Sequence, residues 1–373
     1  MLIVQWPDET LSDRGYRDGV TSQVLPVNHL LAVNELRVGL NTSRGPADAL
    51  RGVSFSIQRG ETVGLIGESG CGKSMTALAL MGLLPPTARV SGSICFETQE
   101  LVGAAEDSLC RLRGNRMAMI FQEPMTALNP LHTVGAQVAE PLRQHRNMGR
   151  AESRAEALRL LERVKLPQAA QRLDAYPHQL SGGQRQRVMI AAALACGPDL
   201  LIADEPTTAL DATIQGEILD LLAELVADSG MALLLISHDL GVMARSVQRV
   251  MVMYGGMVVE SGPTTSVFER LAHPYTRGLF GARPRLGAAR LNGVSSRLVT
   301  IPGRVPELVD LPAGCGFADR CDRVEATCRI ATPPLISMAP EHHVRCIKPH
   351  NSFLPEGGAH GPFPLDGGRL GWR

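Results

Sequence analysis

The stretch Gly67-Glu68-Ser69-Gly70-Cys71-Gly72-Lys73-Ser74 matches the phosphate-loop pattern G-x-x-x-x-G-K-[ST]. It follows the apolar run 62–66, which predicts a buried strand, and precedes the run 75–81, which predicts a helix. Between a strand and a helix, backbone N–H groups of such a loop surround phosphate oxygens. The sequence therefore predicts a nucleotide-phosphate site formed by Gly67, Ser69, Gly70, Cys71, Gly72, Lys73, Ser74 and Met75.

Within this loop, two side chains have specific expected roles. Lys73 should reach the β- and γ-phosphates, and the Ser74 hydroxyl should ligate Mg²⁺. The sequence also offers a second element of the site. The apolar run 200–203 ends in Asp204-Glu205, and a carboxylate at the end of a buried strand is where such proteins bind Mg²⁺. We expect Asp204 to bind Mg²⁺ and Glu205 to polarise the attacking water.

The bulk composition excludes several classes of protein. The chain has 373 residues, enough for two domains, and Lys plus Arg balance Asp plus Glu at 37 each. Charge therefore gives no support for nucleic-acid binding. No apolar run approaches the length that spans a bilayer, and the first thirty residues lack a secretory signal. We expect a cytosolic protein that docks on a membrane partner, in which disulfides are not expected.

The pattern of apolar runs predicts an α/β fold with a mainly parallel sheet flanked by helices. Further strands are expected at 30–38, 53–57 and 232–236, a closing hairpin at 250–259, and surface helices at 104–116 and 150–164. Residues 1–29 are expected to be a poorly ordered extension or the product of a misassigned start. The main domain spans 30–280, a proline-bearing and loop-rich second domain spans 281–350, and a mobile tail spans 351–373.

Five ordered motifs give this chain a family resemblance. The run Leu180-Ser181-Gly182-Gly183-Gln184-Arg185-Gln186-Arg187 resembles the signature motif of ATP-binding cassette (ABC) proteins. Gln122 matches the Q-loop of that family, 209–211 its D-loop, and His238 its switch histidine. Together with the phosphate loop, the resemblance covers roughly residues 30–278. It implies an ABC nucleotide-binding domain of the P-loop NTPase class with a helical subdomain.

The resemblance also implies roles for these residues. Ser181, Gly182, Gly183 and Gln184 would close over ATP bound to a partner subunit, since the signature motif does not reach its own phosphate loop in this family. A plainer role for Ser181, as the N-cap of a helix, is compatible with this one.

The remaining family residues would act around the γ-phosphate. His238 would contact it and hold Glu205 and the water in register, and Gln122 would touch Mg²⁺ or water and report the nucleotide state. Asp211 would couple the two ATP sites of the dimer. One departure concerns the base: the family often stacks adenine on an aromatic residue before the phosphate loop, but 40–50 contains none. Leu40 or Leu50 could take its place.

Three stretches narrow the branch of the family. Residues 122–130, 273–279 and 301–315 look like the ATP-binding subunits of dipeptide and oligopeptide importers, and nickel and glutathione importers share this branch. The resemblance implies a second, related ATPase subunit, two transmembrane permeases and an extracytoplasmic peptide-binding protein as partners, with this chain peripheral on the cytoplasmic face of the membrane. Rival interpretations are a soluble ABC ATPase acting on ribosomes or DNA and a catalytically silent subunit.

Four cysteines in the C-terminal region, Cys315, Cys321, Cys328 and Cys346, have the spacing C-x5-C-x6-C-x17-C. Zinc sites usually have closer cysteine pairs, and four thiolates in a loop-rich segment suit a [4Fe–4S] cluster at least as well. Related importer subunits carry such a cluster in this region. Zinc, with His342 or His343 replacing a thiolate, and unligated thiols are the alternatives. The other four cysteines are expected to be ordinary buried or loop residues.

Overall fold

The computed structural model describes residues 29–123, 127–208, 210–282 and 300–350. The predictions for the N-terminal extension and the C-terminal tail concern 1–28 and 351–373, which lie outside the described residues. Within the described parts the strands are β1 His29–Thr42, β2 Gly45–Gln58, β3 Thr62–Ile66, β4 Arg89–Phe96, β5 Gln99–Glu100, β6 Met117–Ile120, β7 Leu200–Asp204, β8 Ala232–Ile236, β9 Arg249–Tyr254, β10 Met257–Pro263, β11 Leu335–Ala339 and β12 His342–Arg345.

The helices are mostly short and lie between these strands. They are α1 Lys73–Leu80, α2 Glu106–Leu112, α3 Val134–Arg146, α4 Arg150–Arg163, α5 Ala169–Arg172, α6 Gly182–Leu194, α7 Ala212–Ser229, α8 Leu240–Ser246, α9 Thr264–Arg270, α10 Pro274–Gly281 and α11 Ala326–Ile330. Single 3-10 turns occur at Pro177–Gln179, Leu308–Asp310 and Ala318–Arg320. In the described parts of the chain, no helix combines the length and apolarity needed to cross a membrane.

The central sheet has the predicted parallel core. Strands β6, β7, β8, β3 and β9 pair in parallel, and β7 and β8 are buried at every position. Such continuous burial explains their unbroken apolar sequence, because helices cover both faces of a parallel sheet. The predicted hairpin is also confirmed, since β9 and β10 pair antiparallel across Gly255-Gly256.

A second, antiparallel sheet was not predicted as a separate layer. Its order is β2-β1-β4-β5, and β1 runs through Thr42, beyond the expected end at residue 38. One side of this sheet packs on α1 and on the central sheet, in a core that includes Leu31, Leu50 and Leu80. Sequence periodicity identified single strands here, but it could not show which strands pair.

Residues 300–350 do not form a layer of their own. They contain turns, the short helix α11 and the hairpin β11–β12, as the proline content predicted. However, β12 pairs antiparallel with β10, with Glu260 opposite Val344 and Ser261 opposite His343. The C-terminal region thus extends the central sheet to the order β11-β12-β10-β9-β3-β8-β7-β6. The expected boundary near residue 281 falls beside 283–299, outside the described residues.

Two predicted surface helices differ in how well they match the structure. The helix predicted at 150–164 is confirmed as α4, at Arg150–Arg163. The helix predicted at 104–116 covers only Glu106–Leu112. The helix ends early because Arg113 already has an extended backbone, with ψ 131°, and Gly114 follows with φ +72°. Helices α3, α4 and α6 pack together and form the helical subdomain that the family resemblance implied.

Candidate functional site

The phosphate loop connects β3 to α1, as predicted. Gly72 is the N-cap residue and Lys73 the first residue of α1. The Lys73 side chain is buried, and its Nζ donates to the carbonyl oxygens of Gly67 and Glu68 at 2.8 and 3.1 Å. The ammonium group therefore lies inside the curve of the loop, where it can meet phosphate oxygens. Ser69 and Gly70 are exposed at the tip of the loop, and Met75 is half-buried.

Two glycines of the loop occupy positions where a side chain would not fit. A Cβ at Gly67 would lie 2.3 Å from the carbonyl oxygen of Met253, and Gly72 has φ +108° with Leu50 2.8 Å from the position of a Cβ. The loop must therefore pass very close to β9 and β2 to keep its N–H groups turned inward. Cys71 is buried, and burial raises the pKa of its thiol above the usual value.

Asp204 ends β7 next to α1 and is almost fully buried. Burial raises the pKa of this carboxyl above its usual range, while a hydrogen bond from Ser74 opposes the shift. The Oδ1 atom of Asp204 has no hydrogen-bond partner. A buried carboxylate oxygen without a donor is costly unless a cation completes it. The donor set of Ser74 and Asp204 therefore fits Mg²⁺.

Glu205 is the centre of a small polar cluster. Its Oε2 accepts hydrogen bonds from Thr208 Oγ1 at 2.9 Å and from Gln122 Nε2 at 3.2 Å. The Nδ1 atom of His238 lies 3.5 Å from the same oxygen, and the His238 side chain is 70% exposed. The structure therefore brings together the three predicted catalytic residues Gln122, Glu205 and His238.

The backbone of Glu205 is held in an unusual conformation. Its φ is +45°, which is uncommon for a residue with a side chain. Its N–H donates to the carbonyl oxygen of Ile236 at 2.9 Å, so the end of β7 is tied to the end of β8. Such strain often marks a functional position, and here it aims the carboxylate toward Gln122 and His238.

The signature motif and Asp211 lie at two helix N-termini on the surface. Ser181 is the N-cap of α6 and forms a capping box: its Oγ accepts from the Gln184 N–H, and its N–H donates to Gln184 Oε1 at 3.1 Å. The plainer interpretation of Ser181 is thus confirmed. Gly183 approaches α7 closely, since a Cβ there would lie 2.8 Å from Ile214. Asp211 caps α7 by accepting from the Ile214 N–H at 3.0 Å.

The structure separates the two candidates for adenine stacking. Leu50 is fully buried beneath Gly72, whereas Leu40 is only partly buried.

The hairpin tip between β1 and β2 is held by the C-terminal region, because Arg44 pairs with Asp310 and Glu307 at 2.7–2.8 Å. These ion pairs raise the pKa of the Arg44 guanidinium further above its usual value.

The four C-terminal cysteines line one small cavity of about 20 Å³, together with His273 and Phe317. All four are free thiols. Backbone N–H groups point at the sulfurs, from Arg323 to Cys321 at 3.4 Å, from Glu325 to Cys328 at 3.5 Å and from Lys348 to Cys346 at 3.4 Å. Burial, followed by the neighbouring cysteines, raises the pKa of Cys346 to about 11, and burial also raises the pKa values of Cys315 and Cys321.

The structure shows no metal-holding arrangement of these cysteines. Among the described residues, no group of three or more His, Cys, Asp or Glu side chains could hold a metal ion. Four thiolates around one zinc must each lie about 2.3 Å from it. The structure therefore leaves the metal prediction unconfirmed, although it does bring the four sulfurs to one cavity. His342 is engaged elsewhere, because its Nε2 lies 2.9 Å from Glu260 Oε1.

Sequence reasoning missed the residues that support the phosphate loop from behind. Arg320 forms a bidentate ion pair with Glu68, at 2.6 and 3.0 Å. The Tyr275 hydroxyl accepts from the Glu68 N–H at 2.7 Å. Tyr275 lies in the stretch 273–279, whose sequence indicates only the branch of the family, and Glu68 occupies a variable position of the loop pattern. Only the folded chain brings them together.

Two family models match the chain. The model described as "ABC transporter" matches residues 50–208, and the model described as "Oligopeptide/dipeptide transporter, C-terminal region" matches residues 259–328. The first match contains the phosphate loop, the signature motif and Asp204-Glu205. The second contains His273, Tyr275 and three of the four clustered cysteines.

Similar proteins are found among both curated sequences and solved structures. A Brucella melitensis protein named as a peptide import ATP-binding protein is 48% identical over 86% of this chain and 97% of its own length. The oligopeptide transport ATP-binding protein OppD of Salmonella typhimurium is 46% identical over 88% and 96%. The ATP-binding cassette MJ0796, solved as a dimer with ADP and Pi, is 30% identical with a TM-score of 0.57, covering 63% of this chain and 98% of that chain.

Proposed function

The chain belongs to the family of ABC transporter ATP-binding proteins, and from this premise we propose that it is the ATP-hydrolysing subunit of an importer for di- or oligopeptides. Two relatives whose names specify peptide or oligopeptide transport match it over nearly their whole length. Its C-terminal region matches the oligopeptide and dipeptide branch. The fold is the ABC nucleotide-binding domain, and the enzyme activity is ATP hydrolysis.

The observation that carries this function is the convergence at Glu205. A carboxylate held by Gln122, Thr208 and His238 stands just after β7, one strand away from the strand that leads into the phosphate loop. Glu205 would accept a proton from the attacking water, and His238 would contact the γ-phosphate. Lys73 would neutralise the β- and γ-phosphates. Bound Mg²⁺ would neutralise developing charge on the phosphate oxygens, and Ser74, Asp204 and Gln122 would hold it.

The exposed signature motif supports action as a dimer. Ser181, Gly182, Gly183 and Gln184 would bind the ATP held by a second subunit, and Asp211 would contact the opposite site. ATP binding would then close the dimer, and hydrolysis would reopen it. We propose a second, related ATPase subunit, two transmembrane permeases and an extracytoplasmic peptide-binding protein as partners, with this chain peripheral on the cytoplasmic face of the membrane.

For the cysteine cavity we propose a [4Fe–4S] cluster rather than zinc. A cluster takes one thiolate per iron, so its ligands lie further apart than those of a single zinc ion. The backbone N–H groups directed at the sulfurs are the kind of hydrogen bonds that tune such clusters. Burial raises the pKa values of Cys315, Cys321 and Cys346, so these thiols would need a bound cation to become thiolates, and either metal would supply one. The cluster would stabilise the C-terminal region.

The test of the function compares the native chain with Glu205→Gln. We expect the variant to bind ATP but to hydrolyse it at least about 100-fold more slowly, because the proton acceptor is lost. Glu224→Gln is the matched control, since Glu224 is an exposed residue of α7 that pairs with Lys165. In cells that carry either chain as the sole copy, uptake of a labelled dipeptide should fail with Glu205→Gln and persist with Glu224→Gln.

Unchanged hydrolysis in Glu205→Gln would contradict the catalytic assignment. If hydrolysis were lost while dipeptide uptake persisted, the same machinery would carry another solute, and nickel and glutathione would be tested next. An ATPase that purified with no permease and supported no uptake of any of these solutes would favour the soluble, non-transport alternative.

A further inference from the structure

The C-terminal region makes a direct long-range contact with the phosphate loop. Arg320 donates from both terminal nitrogens to the two oxygens of Glu68 and from Nε to the Pro302 carbonyl oxygen at 2.9 Å. Its side chain is 5% exposed, and that of Glu68 is 25% exposed. A bidentate pair of this kind fixes the direction of the carboxylate as well as its charge. Within residues 67–74, Glu68 is the only acidic residue. Arg320 holds its carboxylate from outside the loop.

An aromatic wall keeps Arg320 in this position. The guanidinium lies 5.8 Å from the ring centres of both Tyr254 and Phe317. Tyr275 packs against the same two rings, at 4.7 and 5.4 Å, and its hydroxyl accepts the Glu68 N–H. Phe317 and Arg320 lie between Cys315 and Cys321 in sequence. The wall thus connects the cysteine cavity to the back of the phosphate loop.

The charge of Glu68 matters because the loop binds a polyanion. The electrostatic energy between two unit charges a few ångströms apart is several times larger in a partly buried site than in water. A free carboxylate in the loop would repel ATP, and an unpaired charge left behind at such a site is costly. Arg320 removes this repulsion by neutralising Glu68 and by directing its oxygens toward the C-terminal region.

We propose that Arg320 is a positioning residue of the ATP site, through which the C-terminal region raises the affinity of the phosphate loop for ATP. The proposal rests on the ATPase function above. It assigns to the C-terminal region an effect on nucleotide binding, in addition to any structural role. Arg320 touches no phosphate itself and acts through Glu68.

The experiment measures equilibrium binding of ATP and of ADP to the full chain and to three variants: Arg320→Met, Glu68→Gln and the double variant. Arg329→Met is the matched control, because Arg329 is an exposed arginine of the same region that pairs with Asp319 and not with the loop. We expect Arg320→Met to weaken ATP binding about tenfold, and ADP binding less, because ATP carries more charge. Glu68→Gln and Arg329→Met should each change ATP affinity less than about threefold.

The double variant gives the decisive result. If the harm in Arg320→Met comes from an uncompensated Glu68 carboxylate, then Glu68→Gln in that background restores ATP affinity to within about threefold of the native chain. A purely structural role for Arg320 predicts no such rescue and no difference between ATP and ADP. Either native affinity in Arg320→Met or a double variant as weak as Arg320→Met overturns the proposal.

A second variant covers the case in which Arg320→Met does not fold. Arg320→Lys keeps the positive charge but loses the bidentate geometry, and we expect ATP binding to weaken by more than about threefold, with Glu68→Gln in that background restoring it to within about threefold. Native affinity in Arg320→Lys together with an unfolded Arg320→Met overturns the proposal as well. If the native chain itself failed to bind ATP, the proposed function would fail first, so the two failures are distinguishable.

Discussion

The phosphate-loop face and the C-terminal cysteine region are built in opposite ways. Around the loop, each functional residue follows the end of a buried parallel strand: the loop follows β3, Gln122 follows β6, Glu205 follows β7 and His238 follows β8. Because the carboxyl ends of parallel strands meet at one edge, four local sequence motifs are enough to assemble the site.

The cysteine region has no such scaffold. Cys315, Cys321 and Cys346 lie outside helices and strands, and Cys328 lies in the short helix α11. Their neighbours are fixed by contacts over long sequence distances, such as β12 with β10 and Arg320 with Glu68. A further contact, between Arg270 Nη1 and the Met338 carbonyl oxygen, adds to this set. A region with little core of its own depends on such ties or on a metal centre for its stability. We therefore expect substitutions around the phosphate loop to impair ATP binding or hydrolysis without unfolding the chain. Substitutions in the cysteine region should instead lower the free energy of unfolding.

The largest expected effect is a loss of ATP affinity from a substitution in the phosphate loop that leaves the cysteine region unchanged. Lys73→Ala should reduce ATP affinity by more than about 100-fold, because the buried ammonium is the main positive charge inside the loop. Lys165→Ala is the matched control, since Lys165 is one of only three lysines and pairs with Glu224 at the surface. Equilibrium nucleotide binding measures the effect, and iron content should remain native. Native ATP affinity in Lys73→Ala would contradict the loop assignment.

The next largest effect is a loss of stability from a substitution in the cysteine region. The proposed cluster predicts that Cys321→Ser removes at least half of the iron from anaerobically purified protein and lowers the free energy of unfolding by about 3 kcal/mol or more, since metal binding and folding are coupled. Cys110→Ser is the control, because Cys110 is an exposed thiol outside the cavity. Iron and sulfide analysis and thermal unfolding give the readouts. If the native chain contained one zinc and no iron, the cysteines would be a zinc site. If it contained neither metal, the four thiols would be unligated.

The same comparison explains what the sequence could predict. The strands at Thr62–Ile66, Leu200–Asp204 and Ala232–Ile236 were found because a strand buried on both faces has an unbroken apolar sequence. The convergence of Gln122, Glu205 and His238 was implied by family motifs and not by periodicity. Within the signature motif, local capping by Ser181 and Gln184 was also foreseeable, because a serine followed three residues later by glutamine is a known cap pattern.

Pairing across long distances could not be predicted. Nothing in the sequence of β1 shows that it joins β2 and β4 in a separate sheet, and nothing near residue 342 shows that β12 extends the central sheet. For the same reason Arg320 was invisible: it is one of many arginines, and only burial against Tyr254 and Phe317 distinguishes it. The left-handed backbone of Glu205 and its contact with Thr208 likewise arise from tertiary structure.

The smallest expected effect concerns the junction of the two regions, where His273 is buried beside Glu260 and near His350. Burial lowers the pKa of His273 to about 4, below its usual 6.5. The unfolded chain therefore binds a proton that the folded chain does not, and stability falls as the pH drops from 6.5 toward 4. Between pH 7 and 5 this costs about 2 kcal/mol.

His273→Asn tests this junction, because asparagine can still accept the Tyr275 N–H, which His273 Nδ1 accepts at 3.0 Å as the N-cap of α10. The variant cannot titrate in this range, so its loss of stability between pH 7 and 5 should be smaller than that of the native chain by about 2 kcal/mol. Denaturant unfolding at both pH values measures the difference. Parallel pH profiles of the two chains would contradict this prediction, because they would show that His273 is solvated in the folded state.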